Sequence, residues 1–198
     1  LDAGPQFFEG TTDTTRTIVL GNLTSEEKRD YTLVLKAHIN LSRAIFLEGT
    51  TGHALDAIAR YPIWQYRMDY KSGTGHGIGF VLNVHEGPHR ISKACSDLAL
   101  VPGMVTSNEP GIYKEGKYGI RLENILVVVE DDSNLDGQFY KFETISFIPF
   151  DRRGIEKDLL SKEEIEWLNC YHEEVYKRIA PYLTKEEQNY LLEETKPI

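Results

Sequence analysis

Gly73-Thr74-Gly75-His76-Gly77-Ile78-Gly79-Phe80-Val81-Leu82-Asn83-Val84-His85-Glu86-Gly87-Pro88 is the stretch that decides how this chain is read. It sets two imidazoles among glycines, and glycine lets neighbouring backbone approach closely. His85-Glu86-Gly87-Pro88-His89 spells the H-E-x-x-H pattern of zinc proteases. That pattern binds metal only on a helix, where residues four apart share a face, and a Gly-Pro pair between the histidines weighs heavily against such a helix. A dinucleotide fingerprint is excluded too, because its third glycine falls on Ile78. The partners of these imidazoles look like carboxylates elsewhere in the chain: Asp2 and Asp13 upstream, Glu109 in Asn108-Glu109-Pro110-Gly111, and Glu123 in Arg121-Leu122-Glu123-Asn124. Four acids and one histidine suit a pair of divalent metals, and hard oxygens without thiolate favour Mn²⁺, Co²⁺, Fe²⁺ or Zn²⁺.

Outward from this stretch, Thr11 to Leu20 is threonine-rich and β-branched and reads as a strand. A turn near Glu9-Gly10 would bring Asp2 and Asp13 face to face. Thr24-Ser25-Glu26-Glu27 is a capping box, and Tyr31, Val34, Leu35, His38, Leu41 and Ile45 follow at helical spacing, which predicts about five turns. His38 on that stripe reads as a hydrogen-bonded core residue. A second helix is expected from Thr51 to Arg60, limited by Pro62. Met104–Ser107, Ile120–Glu123, Ile125–Val129 and Tyr140–Ile148 read as strands with turns at Pro110-Gly111, Glu115-Gly116 and Asp136-Gly137. Ser161-Lys162-Glu163-Glu164 and Thr184-Lys185-Glu186-Glu187 cap two final helices. Strands following helices predict an α+β fold, a mostly antiparallel sheet with helices packed on one side.

The 198 residues, 40% hydrophobic and 27% charged, suffice for one well-buried domain. A formal charge of −9 with no basic patch argues against a nucleic-acid partner, and the longest apolar run, Ile125 to Val129, is too short for a membrane span. Two cysteines, Cys95 and Cys170, are too few for a disulfide framework; they read as buried free thiols in a cytoplasmic protein.

Taken together, Asp2-Ala3-Gly4, Thr11-Thr12-Asp13-Thr14-Thr15-Arg16-Thr17, Gly73-Thr74-Gly75-His76-Gly77, Asn83-Val84-His85-Glu86-Gly87-Pro88, Asn108-Glu109-Pro110-Gly111 and Gly119-Ile120-Arg121-Leu122-Glu123-Asn124 closely resemble the catalytic domain of the aminopeptidase P, or Xaa-Pro aminopeptidase, family of pita-bread metallopeptidases. The resemblance covers nearly all of the chain. It implies a pita-bread catalytic domain over residues 1–150, incomplete at its N-terminus, and a C-terminal helical extension over 151–198. It implies two divalent ions, Mn foremost with Zn, Co or Fe as alternatives, on Asp2, Asp13, His76, Glu109 and Glu123. Glu109, His85 and Arg121 are then the catalytic residues, and His85 and Tyr113 meet the substrate. The implied reaction is hydrolysis of an N-terminal Xaa-Pro peptide bond by a metal-bridging hydroxide, on peptides with proline second. No membrane partner is implied, and a homodimer of the full-length protein stays open. A prolidase or methionine aminopeptidase of the same superfamily, or a non-catalytic binding module on this fold, are the alternatives. The family's further upstream domains are expected to be missing, and this chain by itself is expected to have weak or no activity.

Overall fold

The computed structural model describes residues 1–81 and 83–198. Four two-residue strands open the chain: β1 (Asp2–Ala3), β2 (Gln6–Phe7), β3 (Gly10–Thr11) and β4 (Thr14–Thr15). They nest as two antiparallel ladders. Gln6 and Phe7 pair with Thr11 and Gly10, and outside them Asp2 and Ala3 pair with Thr15 and Thr14. The expected turn at Glu9-Gly10 is therefore present, but the long threonine strand is reduced to short pieces.

Helix α1 (Ser25–Ser42) begins at a complete capping box, with the Thr24 hydroxyl accepting from the Glu27 amide and the Glu27 carboxylate returning to the Thr24 amide. Its 18 residues give the five turns its periodicity predicts. Then come β5 (Ile45–Leu47) and α2 (Gly52–Trp64). Here an expectation fails: Pro62 does not end α2 but lies inside it. Proline removes one hydrogen bond to the preceding turn, and the burial of Pro62 and of Ile63, which is 0% exposed, offsets that loss.

The remaining strands are β6 (Gly75–Ile78), β7 (His85–Ile91), β8 (Val105–Asn108), β9 (Gly111–Lys114), β10 (Tyr118–Arg121), β11 (Asn124–Asn134) and β12 (Gly137–Thr144). Six strands form one antiparallel sheet in the order β5-β12-β11-β8-β6-β7, while β9 and β10 form a separate hairpin. The fold is α+β. Since His85 to His89 lie in β7, no helix presents the H-E-x-x-H letters as a zinc motif. Strand β12 stops at Thr144, short of the predicted Ile148, because the Ile148 and Pro149 carbonyls are taken by the buried Arg16 guanidinium rather than by a neighbouring strand.

Helices α3 (Lys162–Ile179) and α4 (Lys185–Glu194) start at the two predicted capping boxes. Leu168, Tyr171 and Val175 of α3 join Leu33, Val34, Leu35 and Phe150 in one apolar cluster, so the C-terminal helices share the core of α1. Lys36 of α1 also bonds Glu164 at 2.5 Å. Ser161→Ala removes the α3 cap and is expected to cost about 1 kcal/mol, measurable as a shift in urea midpoint with an unchanged slope. Cys95 and Cys170 are exposed, not buried as expected. Among the described residues no helix is long and apolar enough to cross a membrane.

Buried in this core, His172 accepts a hydrogen bond from the Phe150 amide at 3.1 Å through Nε2, which requires the neutral ring. Burial, reinforced by Arg152 and Arg16, pushes its pKa down to about 4. An unfolded histidine titrates near pH 6.5. Above that pH both states are neutral and no stability is lost; as pH falls below it the unfolded state binds a proton that the folded state refuses. The loss grows towards pH 4 and reaches the order of 3 kcal/mol. His172→Gln keeps an acceptor without the titration. Its urea stability is expected to fall less than that of the parent between pH 7 and pH 4.5; equal losses would show that His172 does not contribute.

Candidate metal centre

Each predicted ligand sits at the end of a short strand or just beyond one. Asp2 lies in β1 and Asp13 precedes β4; His76 lies in β6, Glu109 follows β8, and Glu123 separates β10 from β11. The glycines of the opening stretch make this convergence possible. A Cβ on Gly75 would lie 2.0 Å from the Ser107 carbonyl oxygen, and one on Gly77 would lie 2.1 Å from that of Glu86. Only glycine permits β6 to sit so close to its neighbours.

The five side chains meet. Three overlapping groups, Asp13 with His76 and His85, His76 with Glu109 and Glu123, and Asp2 with Asp13 and Glu123, each bring one potential ligand atom per residue within 4.8 Å of the others. His76 Nε2 lies 2.9 Å from Glu109 Oε1 and 3.4 Å from Asp13 Oδ2. Its Nδ1 contacts the Gly77 carbonyl at 3.0 Å and must be the protonated nitrogen there, since a carbonyl only accepts. In the neutral ring Nε2 carries only a lone pair, so among the described residues it is buried with no donor to accept from and faces carboxylates that also only accept. Burial alone would lower the His76 pKa, but Glu109 and Asp13 reverse this and raise it.

Glu123 is 1% exposed, and burial followed by the charges of Glu109, Asp13 and Asp2 pushes its pKa up to about 8. Asp13, 7% exposed, is also raised, by burial first and then by Glu109 and Asp2 against the pull of His76. Crowded buried acids and an unpartnered imidazole nitrogen are the arrangement that cations relieve, so the donor set fits two divalent ions.

Around this cluster the polar contacts are specific. Thr15 Oγ1 donates to Glu123 Oε2 at 2.7 Å, and Ser107 Oγ donates to Glu109 Oε1 at 3.1 Å while accepting from the His76 amide at 3.0 Å. The Glu109 amide bonds the Thr74 carbonyl at 2.7 Å. Arg121 pairs with Asp2, donates from Nε to Thr15 Oγ1 at 3.0 Å and from Nη1 to the Tyr113 hydroxyl at 3.1 Å. The His85 ring stands edge-on to His76 with centroids 4.2 Å apart. His85, Arg121 and Tyr113 thus border the cluster. His89 turns away: its Nε2 donates to the Val105 carbonyl at 2.9 Å, a bond that reaches across β6 to β8. Thr15 and Ser107 are contributors that the sequence did not single out; their only signal was adjacency to ligand-bearing motifs.

By class, then, this is an α+β protein with an oxygen-rich ligand cluster of the kind that holds divalent cations. Residues 1–130 match metallopeptidase family M24, and residues 138–198 match the C-terminal region of peptidase M24. The chain belongs to metallopeptidase family M24. A relative from Sordaria macrospora, named probable Xaa-Pro aminopeptidase P, is 48% identical over 203 residues, covering 99% of this chain and 33% of the relative. The crystal structure of the X-prolyl aminopeptidase of Caenorhabditis elegans, described as a cytosolic enzyme with a di-nuclear active site, superposes with a TM-score of 0.94 at 40% identity over 100% of this chain and 33% of that one. The prolidase of Pyrococcus furiosus superposes less fully, with a TM-score of 0.58 at 36% identity over 64% of this chain and 36% of its own. The chain spans about a third of the length of these aminopeptidase relatives.

Proposed function

We propose that the full-length natural protein is a metal-dependent aminopeptidase that removes the first residue of peptides whose second residue is proline. The observation that carries this is the meeting of Asp2, Asp13, His76, Glu109 and Glu123 around one small volume. These five residues would hold two divalent ions, Mn²⁺ foremost. When bound, such ions lower the pKa of a water and polarise a carbonyl.

The protein's own groups do the rest. Glu109, whose backbone is anchored to Thr74, presents a carboxylate to take the proton of the attacking water. His85, at the border of the cluster, donates a hydrogen bond to the substrate carbonyl as negative charge develops on it. Arg121 and Tyr113, already hydrogen-bonded to each other beside Asp2, orient the substrate and relay protons at the rim. A prolyl nitrogen has no N–H and a fixed φ, so a pocket shaped for the ring selects it without a donor contact. Residues 1–150 form the catalytic unit in this reading and residues 151–198 a helical extension, in a cytosolic enzyme. Near-complete superposition on the X-prolyl aminopeptidase, tail included, supports this reading over a prolidase.

The test is a substrate panel on the full-length natural protein with Mn²⁺: a tripeptide Xaa-Pro-Xaa, a dipeptide Xaa-Pro and a Met-Ala peptide. Release of the first residue from the tripeptide, abolished by EDTA and restored by Mn²⁺, is the expected result. Cleavage of the dipeptide alone would make it a prolidase, and cleavage of Met-Ala alone a methionine aminopeptidase. No cleavage of any would leave a binding module.

A further inference from the structure

The two glutamates of the cluster are each followed or preceded by an asparagine: Asn108 comes just before Glu109, and Asn124 just after Glu123. These asparagines stand opposite one another in the β8–β11 ladder. A single side chain joins them. His38, 0% exposed in the middle of α1, contacts the Asn108 carbonyl with Nδ1 at 3.1 Å and the Asn124 side-chain nitrogen with Nε2 at 3.3 Å.

The directions of these bonds follow from chemistry. Arginine only donates, so Arg16 Nη2, 2.6 Å from Asn124 Oδ1, makes that atom the acceptor and leaves the amide nitrogen of Asn124 to donate. Nε2 of His38 must then carry the lone pair, and Nδ1 must carry the hydrogen it gives to the Asn108 carbonyl. The Asn108 side chain closes the loop by donating to the His38 carbonyl at 2.9 Å and to Ser42 Oγ at 3.0 Å. Phe150 and Trp167 pack edge-on against the ring, at centroid distances of 5.2 and 6.1 Å, and exclude water. Burial pushes the His38 pKa down to about 3, consistent with a permanently neutral ring.

We propose that His38 is a positioning residue for the metal centre, a neutral imidazole that fixes the spacing of Glu109 and Glu123 by holding the residue beside each. A purely apolar side chain would fill the same volume. It would not set the register of β8 against β11 at the point where both acids leave the sheet. The inference rests on the metal centre proposed above, and acts through backbone and asparagine contacts without touching a ligand.

The test uses His38→Phe, which keeps a ring and removes both bonds, with His38→Asn and His38→Gln, which retain a polar group near the Nδ1 and Nε2 positions respectively. Mn²⁺ binding to the full-length natural protein is measured by calorimetry without substrate, beside thermal melting of the metal-free form. The parent is expected to bind two Mn²⁺. His38→Phe is expected to bind about tenfold more weakly, the lower end of what loss of a group bonded directly to a ligand costs, because His38 acts one residue further out. The amide variants should fall between. Should folded variants bind Mn²⁺ as the parent does, whatever their melting temperatures, His38 is only a core residue and the proposal is overturned. If His38→Phe fails to fold, the two amide variants decide. A parent that binds no Mn²⁺ removes the metal centre itself, an outcome distinct from unaltered binding by the variants, and overturns both readings.

Discussion

Glu109→Ala in the full-length natural protein is expected to lower kcat/KM on an Xaa-Pro tripeptide by at least about a thousandfold, because the residue is asked to be both ligand and base, and a positioned base alone contributes about 10² to 10⁴. The fold should tolerate the change. What anchors this residue to the sheet is its backbone amide, bonded to Thr74, and the Asn108 contacts just before it. The carboxylate itself accepts from Ser107 and lies 2.9 Å from His76 Nε2, contacts within the cluster that do not hold the sheet together. Truncation therefore removes one wall of the cluster and leaves β8 in place. The control is thermal: a ligand that binds only the native state adds about 2.7 kcal/mol of stability at a hundredfold excess over its Kd. Mn²⁺ should raise the melting temperature of the parent and do so much less for the variant, while the metal-free melting temperatures stay close. Full activity in Glu109→Ala would remove this residue from the mechanism, and an unchanged Mn²⁺ shift would remove it from the ligand set.

The residues that meet in the cluster stood out in the sequence because each sits in a short block with strict backbone demands. Gly75 and Gly77 are glycines because β8 and β7 press against them, whereas the turn expected at Pro110-Gly111 is instead a short link, Glu109-Pro110, from β8 to β9, with Gly111 already in β9. The helices were legible for a similarly local reason, since three capping boxes each satisfy their own termini. What failed was decided at long range. Thr11 to Leu20 has the composition of a strand, yet pairs only in two-residue pieces, because Asp13 must leave the ladder to reach His76 and Arg16 must turn inward. Pro62 reads locally as a helix stop, but neighbouring Ile63 is buried in the core and the turn around it holds. Nothing in the local pattern of α1 says that His38 faces two asparagines seventy and eighty-six positions away. Hydrogen bonds of that span depend on the packed fold, and a residue stripe reveals only that something buried stands there.

Arg16 shows how far such long-range bonds reach, and Arg16→Met is expected to destabilise the chain by about 3 to 5 kcal/mol, a large part of the 5 to 15 kcal/mol that a domain of ordinary stability has. The side chain is 5% exposed and, among the described residues, has no carboxylate as a hydrogen-bond partner. Its guanidinium instead donates to the carbonyls of Thr15, Glu123, Ile148 and Pro149, to Asn124 Oδ1 and to the Tyr171 hydroxyl, and lies 4.1 Å from the centre of the Phe150 ring. Replacing a buried charge by an apolar side chain is often neutral when its partners are replaced as well. Here that escape is closed, because the partners are mostly backbone carbonyls that no single substitution removes, and each buried acceptor left unpaired costs about 1 to 3 kcal/mol. Arg16→Lys keeps the charge but offers three donors from one nitrogen in place of a planar fork, and should fall between parent and Arg16→Met. The same network ties the Glu123 backbone to Tyr171 of α3, so loss of stability and loss of Mn²⁺ affinity should appear together, in that order of the variants. Urea unfolding followed by circular dichroism measures the first, and calorimetry at low temperature the second. A Met variant within 1 kcal/mol of the parent would mean that water or rearranged backbone takes over these acceptors, and that α3 is not mechanically joined to the metal centre through Arg16.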